Sequence, residues 1–440
     1  MSKHSKITSS RIGRLGMLGK LAGGIAGGVI SEGARQLSQG KRPVASELLM
    51  SPGNMQRIGD RLSEMRGAAM KVGQLISMDS GSLIPPELAE ILAGLRNKAH
   101  FMPLGDVARI LGETWGEGWE QRFKRFNFTP IAAASIGQVH QAELKDGRQL
   151  AIKIQYPGIA RSIDSDVDNV ASLLRFARLV PAEMNIQPML DEAKQQLHLE
   201  ADYRQEASFL KDFKARAEQD RRFKIPQVID ELSSEQVLVM EFLNGHPLEE
   251  LATQPMAVRQ QVANEMLDLA LMEVFDWKIV QTDPNFANYL YDPEQQQIQL
   301  LDFGATRQYS SERIDALYQL LIICMQTGSD EDILQQAKRL GYVEDDDAAH
   351  YKESIVALLR LATEPARSEE PYNFTGNALP ARMREIVIEM RLKQKFGRIP
   401  PVEILLLHRK LGGLYLLFNR LQVKLPVKQI IESRVQGSHA

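Results

Sequence analysis

The chain has 440 residues, enough for two or three domains or for one two-lobed domain with extensions. Hydrophobic residues make up 44% and charged residues 25%, an ordinary globular balance. A net charge of −3 supplies no global basic field, which argues against nucleic acid as a partner. The single cysteine, Cys324, excludes an intramolecular disulfide and reads as a buried small hydrophobe.

No stretch reaches the roughly 20 apolar residues that a membrane span needs. The strongest, Leu405–Phe418, is broken by His408-Arg409-Lys410. Residues 1–20 carry Lys3, Lys6, Arg11, Arg14 and Lys20 and no acid, and Leu21–Ile30 is apolar and glycine-rich. That composition serves either a solvated tail or a surface arm for anionic lipid. Residues 1–50 are therefore set apart as a flexible basic arm.

Over residues 51–78, Ile58, Leu62, Met65, Ala69, Val72 and Ile76 form one apolar stripe at helical spacing. A second stripe runs Glu64, Gly67, Lys71, Gln74, and spacing alone makes it a solvated flank. Ser82–Glu87 breaks the helix, Glu87–Leu95 starts another, and Asp106–Leu111 reads as a further short one. Residues 51–125 thus form a helical extension.

At Phe126 the pattern changes. Ile131 leads into Ala132-Ala133-Ala134-Ser135-Ile136-Gly137-Gln138-Val139, and two alternating runs, Val139–Leu144 and Gln149–Gln155, flank Asp146-Gly147. Asp-Gly between alternating runs predicts a hairpin. Against the glycine-rich phosphate loop of protein kinases, G-x-G-x-x-G-x-V, only Gly137 and Val139 match; Ala132 and Ala134 replace the first two glycines. Lys153, in Ala-Ile-Lys, then stands where a phosphate-binding lysine is expected. Pro188–Lys214 predicts one helix carrying Glu200, Asp202 and Glu206. These acids either serve as solubilising charge or let one helix contact Lys153 on one face and another partner on the other.

Ile225–Val228 and Gln236–Glu241 read as strands. The segment from Val237 to Gly245 resembles the hinge between kinase lobes, where adenine would meet the backbone near Met240, Glu241 and Leu243. Val258–Phe275 is a long helix feeding Gln281–Gly304. That stretch places Asp283 and Asn288 five residues apart and Asp302 in an Asp-Phe-Gly. Kinase catalytic loops space their aspartate and asparagine in the same way, and the following Asp-Phe-Gly aspartate binds magnesium. Hard cations on an anionic triphosphate want these oxygen ligands. Beyond Gly304 the sequence reads as helical almost to its end.

Together the motifs resemble the UbiB family of atypical kinase-like proteins over about residues 50–420, with closest likeness to bacterial AarF-type members. Lys71-Val72-Gly73-Gln74 matches the family's K-x-G-Q, Ala132–His140 its alanine-rich loop, Glu200-Ala201-Asp202 its E-x-D, and Gln281–Leu290 its catalytic loop. The resemblance implies an α+β, protein-kinase-like two-lobed fold. Its helical extension packs over the active site, residues 126–242 form the N-lobe and residues 243–440 a mostly helical C-lobe. It implies ATP and Mg2+ as ligands, ATPase activity, a role in ubiquinone (coenzyme Q) biosynthesis, and contact with membrane lipids and quinone-biosynthesis proteins or intermediates. Lys153 would pair with Glu206 and hold the α/β-phosphates under the loop Ala132, Ala133, Ala134, Ser135, Gly137, Val139. Asn288 and Asp302 would hold the metal, Asp283 would take the catalytic position, and Lys71 and Gln74 would close the pocket near Glu200 and Asp202.

Departures from protein kinases shape the expected activity. Ala134 puts a methyl group where glycine lets backbone approach phosphate. Gln281-Thr282 replaces His-Arg, Asn285 replaces the lysine two residues after the aspartate, and no Ala-Pro-Glu follows before helical sequence begins near Ser311. These point to an ATPase-like phosphotransferase, with a nucleotide-binding scaffold or a small-molecule or lipid kinase as alternatives, and away from a peptide kinase. The expected location is cytoplasmic, peripheral on the inner face of the cytoplasmic membrane.

Overall fold

The structure is a computed structural model that describes residues 23, 27–39, 52–80, 101–176, 186–390 and 400–437. The basic segment 1–20, and the break and short helix read from residues 82–95, lie outside the described residues. The chain divides into two compact units, residues 1–205 with 228–242 and residues 206–227 with 243–440.

In the first unit, α1 spans residues 27–38. The long apolar stripe folds as two helices, α2 (Pro52–Glu64) and α3 (Arg66–Ser80), with a turn at Met65. Ile58, Leu62, Met65, Ala69 and Val72 are all buried, so the stripe stays continuous through the turn. Helix α4 (Leu104–Trp115) is longer than its apolar residues predicted. Its Val107, Ile110, Leu111 and Trp115 join Trp119 and Phe123 in a core, and the Trp115 indole N–H donates to the Leu232 carbonyl at 2.9 Å.

Strands β1 (Phe123–Phe126), β2 (Ala132–Ala133), β3 (Gly137–Leu144) and β4 (Gln149–Gln155) follow. The expected hairpin pairs β3 with β4 antiparallel, from Gly137↔Gln155 to Glu143↔Gln149. Gly147 takes φ 92° in its turn, the left-handed conformation that glycine adopts without steric cost. Helices α5 (Ile159–Phe176) and α6 (Gln187–Glu200) both pack against α3.

The single helix expected over 188–214 is two. Helix α7 (Tyr203–Arg216) starts afresh after a break at Ala201-Asp202. The Asp202 carboxylate accepts the Arg204 N–H at 3.1 Å and the Gln205 N–H at 3.0 Å. An aspartate at such a boundary satisfies amides that the helix cannot, so local capping wins over helix continuation. The chain passes into the second unit at Glu206, forms β5 (Phe223–Lys224), and returns to the first with β6 (Val237–Glu241). Residues 225–228, expected as a strand, contribute only an isolated bridge from Val228 to Met240. The first sheet runs β1-β3-β4-β6, with β2 beside β3.

The second unit adds β7 (His246–Pro247) and α8 (Met256–Leu271), which continues as a π-helical turn, Met272–Trp277. Then come β8 (Ile279–Gln281), β9 (Tyr289–Asp292), β10 (Gln297–Leu300) and β11 (Thr306–Gln308). One small sheet runs β5-β10-β9-β7, and β8 pairs with β11. Helices α9 (Ser311–Met325), α10 (Asp330–Arg339), α11 (Ala349–Ala362), α12 (Glu364–Arg367) and α13 (Leu379–Ile388) follow, then α14 (Val402–Leu421) and α15 (Val427–Gly437). The helical reading of this region holds apart from β11 and a short pair, β12 (Tyr372–Asn373) with β13 (Lys424–Leu425). Cys324 is fully buried in a core with Leu320, Ile333, Ala337 and Tyr351. No described helix is long and apolar enough to cross a membrane.

Candidate functional site

In the second unit, the catalytic-loop sequence and the Asp-Phe-Gly are drawn together by main chain. Strand β8 delivers the chain to Asp283, and β11 carries it away from Gly304; they pair at Gln281↔Thr306. The Thr282 hydroxyl donates to the Ala305 carbonyl at 2.6 Å. Strands β9 and β10 pair at Tyr289↔Leu300, and the Leu301 N–H donates to the Asn288 carbonyl at 2.9 Å. Asn288 and Asp302 therefore leave adjacent strand ends.

The side chains continue this order. The Asn288 amide donates to Asp283 Oδ2 at 3.2 Å, which leaves the Asn288 side-chain oxygen for another partner. The Asp302 carboxylate accepts the Gly304 N–H at 2.9 Å. Phe303 is fully buried, its ring 4.7 Å from that of Phe213. An amide oxygen and a carboxylate form a hard donor pair that fits Mg2+, which binds through one or two protein ligands plus phosphates and water. Among the described residues no group of three or more His, Cys, Asp or Glu is placed to hold a metal by itself.

Helix α14 backs this loop. Arg409 forms an ion pair with Asp283 Oδ1, and its side chain is nearly buried. The adjacent Lys410 donates to Glu273 at 2.7 Å and to the Tyr289 hydroxyl at 3.3 Å. Glu273, on the π turn, also accepts the Gln281 N–H at 3.1 Å, and the Tyr289 hydroxyl donates to Gln281 at 3.1 Å. Burial pushes the Tyr289 phenol up to about 12. Burial opposes the Lys410 charge, but Glu273 outweighs it and the ammonium stands above its ordinary value. Removing one partner from such a buried pair typically costs about 3–5 kcal/mol.

The first unit holds the other sequence-assigned residues except Glu206 and Leu243, which belong to the second. Ala132 and Ala133 form β2 and pair with Val139 and Gln138 of β3. The Ala134 N–H donates to the Gly137 carbonyl at 2.9 Å, closing a tight turn with Ser135 at its tip. Gly137 has a packing reason of its own: a Cβ there would lie 2.3 Å from the Ile154 carbonyl oxygen. Lys153, on β4, is 6% exposed and sits between Val139 and Leu238 in the sheet. Its ammonium lies 5.3 Å from the centroid of the Tyr203 ring. Glu206 is buried and belongs to the second unit. Met240 is buried on β6, Glu241 is half-buried at its end, and Leu243 is buried at the start of the next segment.

Helix α3 lies on the alanine-rich turn. A Cβ on Gly67 would be 2.9 Å from the Ser135 carbonyl oxygen, so a bare glycine makes the approach possible. One turn later Lys71 is 3% exposed and ion-paired with Glu200 at the end of α6. Gln74 is half-buried one turn further on. Of the two E-x-D acids, only Glu200 is placed on Lys71; Asp202 caps α7. A solvated flank, as spacing alone suggested, does not describe this face. Sequence reasoning also missed Arg409 and Tyr203. Arg409 stood in a motif-like His-Arg-Lys-Leu-Gly-Gly, but nothing local ties it to a loop 126 residues away.

Several known proteins are similar to this chain along most of its length. Residues 94–336 match the ABC1 atypical kinase-like domain. The mitochondrial atypical kinase coq-8 of Caenorhabditis elegans is 36% identical over 433 residues, covering 96% of this chain; the chain spans 57% of that protein's length. The mitochondrial atypical kinase COQ8B of Rattus norvegicus is 35% identical, covering 98% of this chain and 81% of its own. COQ8 of Saccharomyces cerevisiae, also a mitochondrial atypical kinase, is 33% identical, covering 95% and 83%. A solved structure, Rv3197 with erythromycin from Mycobacterium tuberculosis, superposes with a TM-score of 0.57 at 25% identity, covering 84% of this chain and 93% of that one. The chain belongs to the UbiB family of ABC1 atypical kinase-like proteins, with the α+β kinase-like fold that its sequence implied.

Proposed function

We propose that this protein binds MgATP and turns it over as an atypical kinase-like ATPase in support of ubiquinone biosynthesis, acting at a membrane surface on lipid intermediates or a biosynthetic complex. The observation that carries the reading is the joining of Asp283, Asn288 and Asp302 on strand ends bonded to one another. Names of the relatives as COQ8-type atypical kinases support the biosynthetic setting.

In this reading Asn288 and Asp302 hold Mg2+, which neutralises phosphate charge. Lys153, paired with Glu206, binds the α/β-phosphates beneath the alanine-rich turn. Met240, Glu241 and Leu243 receive the adenine. Asp283 orients the attacking hydroxyl or water and accepts its proton; each carboxylate oxygen keeps a lone pair beyond the bonds described. Helix α3, with Lys71 and Gln74, excludes water and bulky acceptors from the turn it covers, which disfavours peptide substrates.

The Asp283 carboxylate is bonded on both oxygens, and that favours a second reading, a nucleotide-binding scaffold with little turnover. Phosphate release from purified protein with ATP and magnesium, with and without anionic liposomes, decides between them. Turnover that Asp283→Asn sharply reduces is expected. Absence of release under every condition, with the variant indistinguishable from wild type, would sink the ATPase reading.

A further inference from the structure

We propose that Arg409 is a positioning residue for the Asp283 chemistry. It supplies from α14 the cation that protein kinases carry two residues after their catalytic aspartate. This chain has Asn285 at that place, so the loop itself offers no positive charge beside Asp283. Arg409 brings one from 126 residues downstream. The inference rests on the turnover reading given above.

Placement of the guanidinium is determined from three directions. Lys410, the next residue, is locked to Glu273 and Tyr289, which bracket the loop at both ends. One turn on, a Cβ on Gly413 would fall 2.2 Å from the Pro284 Cβ, so the helix backbone rests on the residue that follows Asp283. Near the helix start the Glu403 carbonyl accepts the Tyr309 hydroxyl at 2.9 Å. Helix α14 can therefore neither slide nor roll without breaking several contacts at once. Held this way, Arg409 fixes one Asp283 oxygen while Asn288 fixes the other.

The chemistry follows from charge. An ATP triphosphate approaching a bare carboxylate is repelled; a carboxylate paired with guanidinium presents no net charge and one orientation. The pair is also geometric, because guanidinium is a planar fork and ammonium a flexible point charge. Bracing alone is already supplied by Lys410 and Gly413, so Arg409 is not needed merely to hold the helix down.

The test compares wild type, Arg409→Met, Arg409→Lys, Asp283→Asn and the Asp283→Asn/Arg409→Met double variant. Steady-state phosphate release gives kcat, and calorimetry gives the MgATP Kd. Arg409→Met is expected to lower kcat by about tenfold or more with Kd changed less than about threefold. Arg409→Lys should restore part of kcat, and the double variant should be no slower than Asp283→Asn. Unchanged or raised kcat in Arg409→Met overturns the proposal. So does a lysine variant no better than methionine with both losses tracking a fall in melting temperature. A wild type that releases no phosphate defeats the turnover reading instead. The pair is then judged by unfolding midpoints of the same four-member cycle: additive shifts overturn the proposed coupling, and non-additive shifts support it.

Discussion

Two glycines show how far a single residue can be read. Gly67 and Gly112 both lie within helices, where alanine is intrinsically better by about 1 kcal/mol. Around Gly112 nothing beyond its chain neighbours and its own helix backbone lies within 4 Å of an added Cβ, whereas at Gly67 the Ser135 carbonyl oxygen lies at 2.9 Å. Overpacking against backbone costs about 1–3 kcal/mol, so the clash outweighs the helix gain at Gly67 only. Gly112→Ala should raise the melting temperature and Gly67→Ala should lower it, as calorimetry would show; a rise in both would mean that α3 does not press on the alanine-rich turn. Gly67 was visible in the sequence as one small residue in a polar stripe, but its neighbour was not. Lys71 gives the same lesson. Lysine at a flank position is usually solvated, and only the arrival of Glu200 from α6 makes its burial tolerable.

Among elements, hairpins and amphipathic helices were the most legible, because each follows a local period or turn. The β3–β4 pair was readable from Asp146-Gly147 and the alternation around it. The break between α6 and α7 and the π turn before β8 were not. Both depend on bonds that a periodic pattern does not encode, namely Asp202 to its following amides and Glu273 to Gln281 and Lys410. Strand β3 also carries a pH-sensitive clamp. The buried His140 donates through Nδ1 to the Asn127 carbonyl at 2.9 Å and accepts at Nε2 from the Gln138 amide at 2.8 Å. Gln138 in turn accepts the Met102 N–H at 2.7 Å. This pattern suits neutral imidazole only, and burial holds its pKa below the usual 6.5. A depressed folded-state value stabilises the fold above the unfolded pKa and loses that contribution as pH falls below about 6.5. Urea unfolding should therefore weaken from pH 7.5 to pH 5 by at most about 1.4 kcal/mol per pH unit from this one group. His140→Gln should flatten that dependence, and parallel curves for the two proteins would contradict the clamp.

At the scale of the whole molecule, family and fold class were legible because several separated motifs occur in one order. Less legible was which segments belong together. Residues 206–227 precede β6 in sequence yet group with the second unit, because Phe213 packs on Trp277 and Phe303 and β5 pairs with β10. Those contacts span long separations, and no local pattern announces them. Arg409 was hidden for the same reason. The central claim is that the loop holding Asp283, Asn288 and Asp302 is a magnesium–nucleotide site. Titration calorimetry with ATP, with and without Mg2+, on wild type and Asp302→Asn tests it most directly. Binding is expected to require Mg2+ and to weaken by about tenfold or more in Asp302→Asn, a loss of at least about 1.4 kcal/mol. Equal binding by the two proteins, or equal binding without the metal, would contradict it.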